Sequence, residues 1–157
     1  MKLNWVRLLA CVVGTNIVGN IGSLATFSQI TTWYATLEKP WFNPPNWLFG
    51  PAWTLLFTLM GISLYLILSH AGKREMKTAV LVFSIQMVLN VLWSFIFFGW
   101  HQLGIAFAEI VILWVAILVT IINFSRISKV AAWILVPYLG WVTFASLLNF
   151  AVWQLSR

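Results

Sequence analysis

Apolar residues run through this chain in five long blocks, at about 5–27, 47–69, 77–98, 103–124 and 130–153, with clusters of Gly, Pro and charged residues as the breaks. Each block reaches the roughly 20 residues that a helix needs to cross a bilayer. Backbone groups in hydrocarbon have to be paired within their own segment, and the alternating polar-in residues of a barrel strand are absent, so all five are expected to be helices. The predicted fold is an all-α integral membrane protein: a five-helix transmembrane bundle in a single domain over 1–157. Five spans occupy roughly 100 to 120 positions, which leaves short loops and one longer connection between the first and second helices.

Composition strengthens this reading. Of 157 residues, 62% are hydrophobic and 8% charged, against about 25% charged in a soluble domain, so most of the outer surface has to face an apolar solvent. The net charge of +6 does not point to nucleic acid, because the bases flank apolar spans instead of forming a patch. Lys2, Arg7, Lys73, Arg74, Lys77, Arg126 and Lys129 fall at one end of the bundle, and Lys39 and Arg157 at the other. By the positive-inside rule the N-terminus is expected on the cytoplasmic side and the C-terminus on the opposite side. A single cysteine, Cys11, excludes an internal disulfide and a multi-cysteine metal site. Leu8 to Cys11 imitate a lipidation box, but Arg7 precedes them directly and no apolar run separates them from the start. The first block is not read as a cleaved signal peptide either, because Asn16 and Asn20 interrupt it.

The long connection, 31–46, holds Pro40, Pro44 and Pro45 with Trp33, Tyr34, Trp41 and Phe42. Prolines stiffen it, and large rings at a bundle mouth suit a lid over a cavity; an interfacial aromatic belt is the other reading. Within the spans, Asn16 and Asn20, and Gln86 and Asn90, are spaced i,i+4, and Glu109 and Asn149 are further polar residues that should face protein or a wet cavity. Interhelical bonding accounts for such residues as readily as a binding site does. Three faces carry large side chains, the second and third with amides or a small residue beside them: Trp53, Phe57 and Met60; Gln86, Asn90, Trp93 and Phe97; Trp141, Ala145, Leu148 and Asn149. They describe either core packing or a pocket for a large flat apolar ligand with a few polar groups.

Glu109 is the one acid within a span, open to a structural or a proton-coupled transport role. His70 and His101 lie at opposite ends and cannot converge on a metal, so no metal site is expected. Ala10 and Gly14, and Thr15, Gly19 and Ser23, form small-xxx-small rows that permit close helix approach. Packing within the chain is the favoured use of these rows and a homodimer the alternative.

The run Trp33-Tyr34-x-x-Leu37-x-Lys39-Pro40-x-Phe42-x-Pro44-Pro45-x-Trp47-x-Phe49-Gly50-Pro51-x-Trp53 resembles the signature of the TspO/MBR family, known as translocator protein, peripheral-type benzodiazepine receptor or tryptophan-rich sensory protein. Asn90-x-x-Trp93-x-x-x-Phe97-Phe98-Gly99, Glu109, and Pro137-Tyr138-x-x-Trp141-x-x-Phe144-Ala145-x-x-Leu148-Asn149-x-x-x-Trp153 extend the resemblance over essentially the whole chain. It implies a five-helix bundle with a cavity under the first loop that binds porphyrins, haem-like tetrapyrroles and, in some members, cholesterol or benzodiazepine-type drugs. Carried over by position, the ligand would meet Trp33, Tyr34, Trp53, Phe57, Asn90, Trp93, Trp141, Ala145 and Leu148. The family's sterol-recognition stretch expects Tyr followed by a base, whereas Phe150 and Gln154 stand here, so sterol handling is not expected.

The first expectation is therefore a membrane receptor or scavenger for tetrapyrroles, with porphyrin or haem as ligand and no cofactor required. The second is an oxidative or light-dependent porphyrin-degrading enzyme with Trp53 and Trp141 as the oxidisable pair. A tetrapyrrole transporter drawing on Glu109 is the third. Three acids in the whole chain leave little scope for a paired-carboxylate site.

Overall fold

A computed structural model describes residues 2–157. The order of elements is α1 (Trp5–Gln29), a short α2 (Trp33–Thr36), α3 (Asn46–His70), α4 (Lys73–Ser94) running into a π-helical turn (Phe95–Gly99), α5 (Leu103–Ser125), α6 (Lys129–Ile134) and α7 (Val136–Leu155). These make five stretches long and apolar enough to cross a membrane, α6 and α7 together forming the fifth.

Local chemistry fixes the helix ends. Asn4 caps α1 by accepting from the Arg7 amide at 3.0 Å. The α4 helix starts four residues ahead of its apolar block, because the Glu75 carboxylate reaches back to the Gly72 amide (3.1 Å) and lets the basic residues Lys73, Arg74 and Lys77 sit in its first turns. Ser128 caps α6 through the Ala131 amide (3.2 Å). The fifth span is broken at Leu135, since Pro137 has no amide hydrogen to continue the ladder and its ring conflicts with the carbonyl four residues earlier.

Side-chain bonds between helices define two ends. At one, the Asn4 amide donates to Tyr65 Oη (3.0 Å) and Ser63 Oγ to the Ala131 carbonyl (2.8 Å), gathering the start of α1, the end of α3 and α6. At the other, His101 Nε2 lies 3.2 Å from Gln29 Oε1, and Asn149 Nδ2 donates to the Leu103 carbonyl at 3.0 Å. The first end carries seven of the nine bases and is called the basic end; the other carries the 31–46 connection and is called the loop end.

The first helix crosses the bundle obliquely. In its basic-end half it lies against α3: Thr15 Oγ1 donates to the Phe57 carbonyl (2.8 Å), Asn16 Nδ2 to Thr58 Oγ1 (3.2 Å), and Gly61 packs so tightly that a Cβ there would stand 2.6 Å from Val12 Cα. In its loop-end half it lies against α4 and the π turn: a Cβ on Gly22 would meet Ser94 Oγ at 3.0 Å, and one on Gly99 would meet Ala25 at 3.8 Å. The Thr15–Gly19 row is thus used within the chain. The row of Ala10 and Gly14 is not, since Ala10 is exposed and Gly14 has nothing within 4 Å of a Cβ position.

Helix α5 packs between α4 and α7, held by Thr120 Oγ1 to the Val82 carbonyl (3.3 Å) and Trp114 Nε1 to Thr143 Oγ1 (2.8 Å). The core of Met60, Ile67, Ala79, Ile117, Phe124 and Val142 is sealed, while Val6, Leu24, Val88, Ile112 and Trp133 point outward. Large apolar side chains on the outside are what a protein solvated by lipid requires.

Candidate functional site

A cavity of about 150 Å³ occupies the loop-end half of the bundle, enclosed by α1, the connection, α3, α4 with its π turn, and α7. Eight of the nine residues singled out in the sequence stand in its wall: Tyr34, Trp53, Phe57, Asn90, Trp93, Trp141, Ala145 and Leu148. Trp33 does not. Its ring stacks on His101 (centroids 4.0 Å apart, planes 11°) and meets Phe97 edge-on at 5.9 Å, so it supports the wall from behind.

The rings line the cavity in two groups. Trp53 stacks on Phe57 (5.5 Å, 26°) and stands edge-on to Trp141 (6.4 Å, 85°); Trp93 stacks on Phe97 (5.0 Å, 30°). Offset and perpendicular arrangements are those that aromatic quadrupoles favour. Phe97 is brought inward by the π turn, where the Trp100 amide bonds to the Phe95 carbonyl (2.8 Å), one residue beyond the α-helical register. His101, in a left-handed conformation (φ 56°), then reverses the chain into α5.

The polar wall residues are held by a second layer. Asn90 Nδ2 donates to Tyr138 Oη (2.8 Å), whose hydroxyl donates to Gln86 Oε1 (2.8 Å). Trp93 Nε1 donates to Asn149 Oδ1 (3.0 Å), and Asn149 in turn anchors on the Leu103 carbonyl. These bonds fix the amide of Asn90 and the indole of Trp93, so both faces are preorganised. No charged side chain lies in the wall. Glu109 is buried elsewhere among the helices, with neither carboxylate oxygen bonded to a protein donor. No group of three His, Cys, Asp or Glu that would hold a metal occurs among the described residues.

The 31–46 connection lies over the loop end. Tyr34 is buried, its hydroxyl donating to Asn43 Oδ1 (2.7 Å) and its ring lying 5.0 Å from Lys39 Nζ; burial pushes its phenol up to about 12. Phe42 reaches Phe144 on α7 at 6.2 Å. Trp41 and Trp47 point outward, 95% and 71% exposed, in the position of interfacial anchors. The connection thus combines an inward aromatic face with an outward one.

Sequence reasoning gave no role to several wall residues. Asn20 and Gly19 carried signals, as half of an amide pair and part of a small-residue row, and the structure shows the reason for the glycine: a Cβ there would overlap the Phe57 ring. Phe49 carried one only as part of the Trp/Pro run, and Phe27 and Ile30 carried none, because in nearly uniform apolar segments the inward face cannot be told from the outward one.

A model of the TspO/MBR family matches residues 10–154. The tryptophan-rich protein TspO of Chlorobaculum tepidum is 44% identical over 157 residues, covering 99% of each chain, and that of Archaeoglobus fulgidus is 42% identical, covering 98% of this chain and 99% of its own. The human translocator protein is 33% identical, covering 96% of this chain and 90% of its own length.

Proposed function

The chain belongs to the TspO/MBR family, and from that premise we propose that it is a membrane receptor or scavenger that binds porphyrins and related tetrapyrroles, and benzodiazepine-type drugs with them, in the aromatic cavity. The observation that carries the reading is the wall itself: Trp53, Trp93 and Trp141 offer three flat indole faces, and Asn90 and Asn149 supply the few polar groups. A macrocycle is flat, apolar and polar only at its edge, so stacking and burial hold it without a bond to a metal. The 31–46 connection acts as a lid, with Tyr34 as its inward face. The basic end faces the cytoplasm.

Protoporphyrin titration of the purified protein in the dark tests this reading. Saturable quenching of tryptophan fluorescence at micromolar ligand is expected, weakened by Trp53→Phe/Trp141→Phe; unquenched fluorescence overturns it. A specific observation favours a second reading, light-dependent porphyrin breakdown. Trp53 and Trp141 stand perpendicular at 6.4 Å in the same wall, where an indole can relay electrons from the photoexcited macrocycle to dioxygen, which is reduced as the macrocycle is oxidised. Under illumination, loss of porphyrin absorbance that disappears in the double variant supports that chemistry. Loss equal in both proteins refutes it.

A further inference from the structure

The oblique course of α1 leaves a gap. It meets α3 closely through Thr15, Asn16, the Gly61 crossing and, just past its midpoint, Gly19 against the Phe57 ring, and beyond that shifts to α4, through Gly22 and Gly99. Between the loop-end halves of α1 and α3, beyond the Gly19–Phe57 contact, the cavity wall includes residues that are themselves exposed: Asn20 and Phe27 on α1, and Asn46, Gly50 and Thr54 on α3. Asn46 and Thr54 are eight residues apart, about 12 Å at 1.5 Å per helical residue, so this exposed wall runs down the side of the bundle and is not confined to its end.

The polar groups bordering the gap do not close it. Asn20 Nδ2 donates to the Asn16 carbonyl of its own helix (2.8 Å), and Thr54 Oγ1 to the Gly50 carbonyl of its own (2.9 Å). Those bonds satisfy the Thr54 hydroxyl proton and one N–H of the Asn20 amide, and leave the amide oxygen and second N–H of Asn20 for an amphiphilic partner at this face. On the other sides the wall is closed, by Trp93 bonded to Asn149 and by the Trp53–Trp141 contact.

We infer that the cavity opens sideways into the bilayer between α1 and α3, and that its ligand, a membrane-dissolved amphiphile of the tetrapyrrole type, passes through this lateral mouth bordered by Asn20, Phe27, Gly50 and Thr54. The inference rests on the binding reading above and assigns it a route. Polar edge groups of the ligand exchange bonds with Asn20 and Thr54 as the ring slides past Phe27. The connection above needs no large movement for passage.

The experiment uses full-length protein in lipid nanodiscs, with Cys11→Ser removing the native thiol and Asn20→Cys and Thr54→Cys placed on the two borders. A bulky methanethiosulfonate reagent plugs the mouth reversibly, and stopped-flow tryptophan quenching by protoporphyrin IX reads both rates. Association and dissociation are each expected to slow at least tenfold on modification and to recover on reduction. Rates unmoved by modification, in protein that binds before it, overturn the lateral mouth and leave the binding reading standing; so does faster dissociation with unaltered association. A protein that shows no quenching before modification overturns the binding reading, and this inference with it. Leu24→Cys, outside the wall on the lipid face of α1, carries the same label as a control for folding and for bulk.

Discussion

The crossing of α1 and α3 predicts a large, position-specific cost for one methyl group. A Cβ on Gly61 would stand 2.6 Å from Val12 Cα, 2.8 Å from Thr15 Oγ1 and 2.9 Å from the Cys11 carbonyl oxygen. Ordinary carbon contacts lie at about 3.5–4.0 Å, and two of the three neighbours are backbone, so Gly61→Ala forces α1 back by about 1 Å. A retreat of about 1 Å takes the 2.8 Å bond from Thr15 Oγ1 to the Phe57 carbonyl, and the 3.2 Å bond from Asn16 to Thr58, past the useful limit of about 3.5 Å. Overpacking costs about 1–3 kcal/mol, and two interhelical bonds in a membrane add about 0.6 kcal/mol each. Alanine's better helix propensity returns about 1 kcal/mol, which leaves a net loss of about 1–3 kcal/mol. Gly14 is the internal control, on the same helix pair but with nothing within 4 Å of its Cβ position; Gly14→Ala should be neutral or stabilising by up to about 1 kcal/mol. Thermal unfolding of both variants in one detergent reads the difference. If Gly61→Ala unfolds at the same temperature as Gly14→Ala, the close crossing is not as described, and the gap that follows from it loses its support.

Three further outcomes follow from the second layer and the connection. Tyr138→Phe strips Asn90 Nδ2 of its acceptor and Gln86 Oε1 of its donor, and unsatisfied buried groups cost about 1–3 kcal/mol; lower thermal stability together with weaker porphyrin quenching is expected, and wild-type values of both would show that the hydroxyl positions nothing. Asn149→Leu frees the Trp93 indole and the Leu103 carbonyl, so the emission of Trp93, isolated by difference against Trp93→Phe, should shift; an unchanged difference spectrum argues against the bond. Burial raises the Tyr34 phenol from its usual value near 10 to about 12, so its neutral form stabilises the folded connection below pH 10, and this contribution is lost as pH climbs from 10 to 12. Wild type should therefore lose more stability than Tyr34→Phe across that window, and parallel curves would contradict the burial.

The five spans, their helical state and the gathering of seven bases at one end were legible in the sequence, because a bilayer dictates both the length of an apolar block and the pairing of every backbone group within it. Much of the cavity wall was legible too. Trp53, Phe57, Asn90, Trp93, Trp141, Ala145 and Leu148 stand out as rings, amides and one small residue at helical spacing. Packing decided the rest. Trp33 lies beside Tyr34 in sequence, but one short helical turn points Tyr34 into the wall and leaves Trp33 on His101. The π turn that delivers Phe97 and the Tyr138 hydroxyl that fixes Asn90 depend on a single slipped hydrogen bond and on contacts between residues about 50 apart. Lipid solvates one side of each apolar helix and protein packs the other; since both are apolar, hydropathy marks where a helix lies in the membrane and only the tertiary structure decides which way it faces.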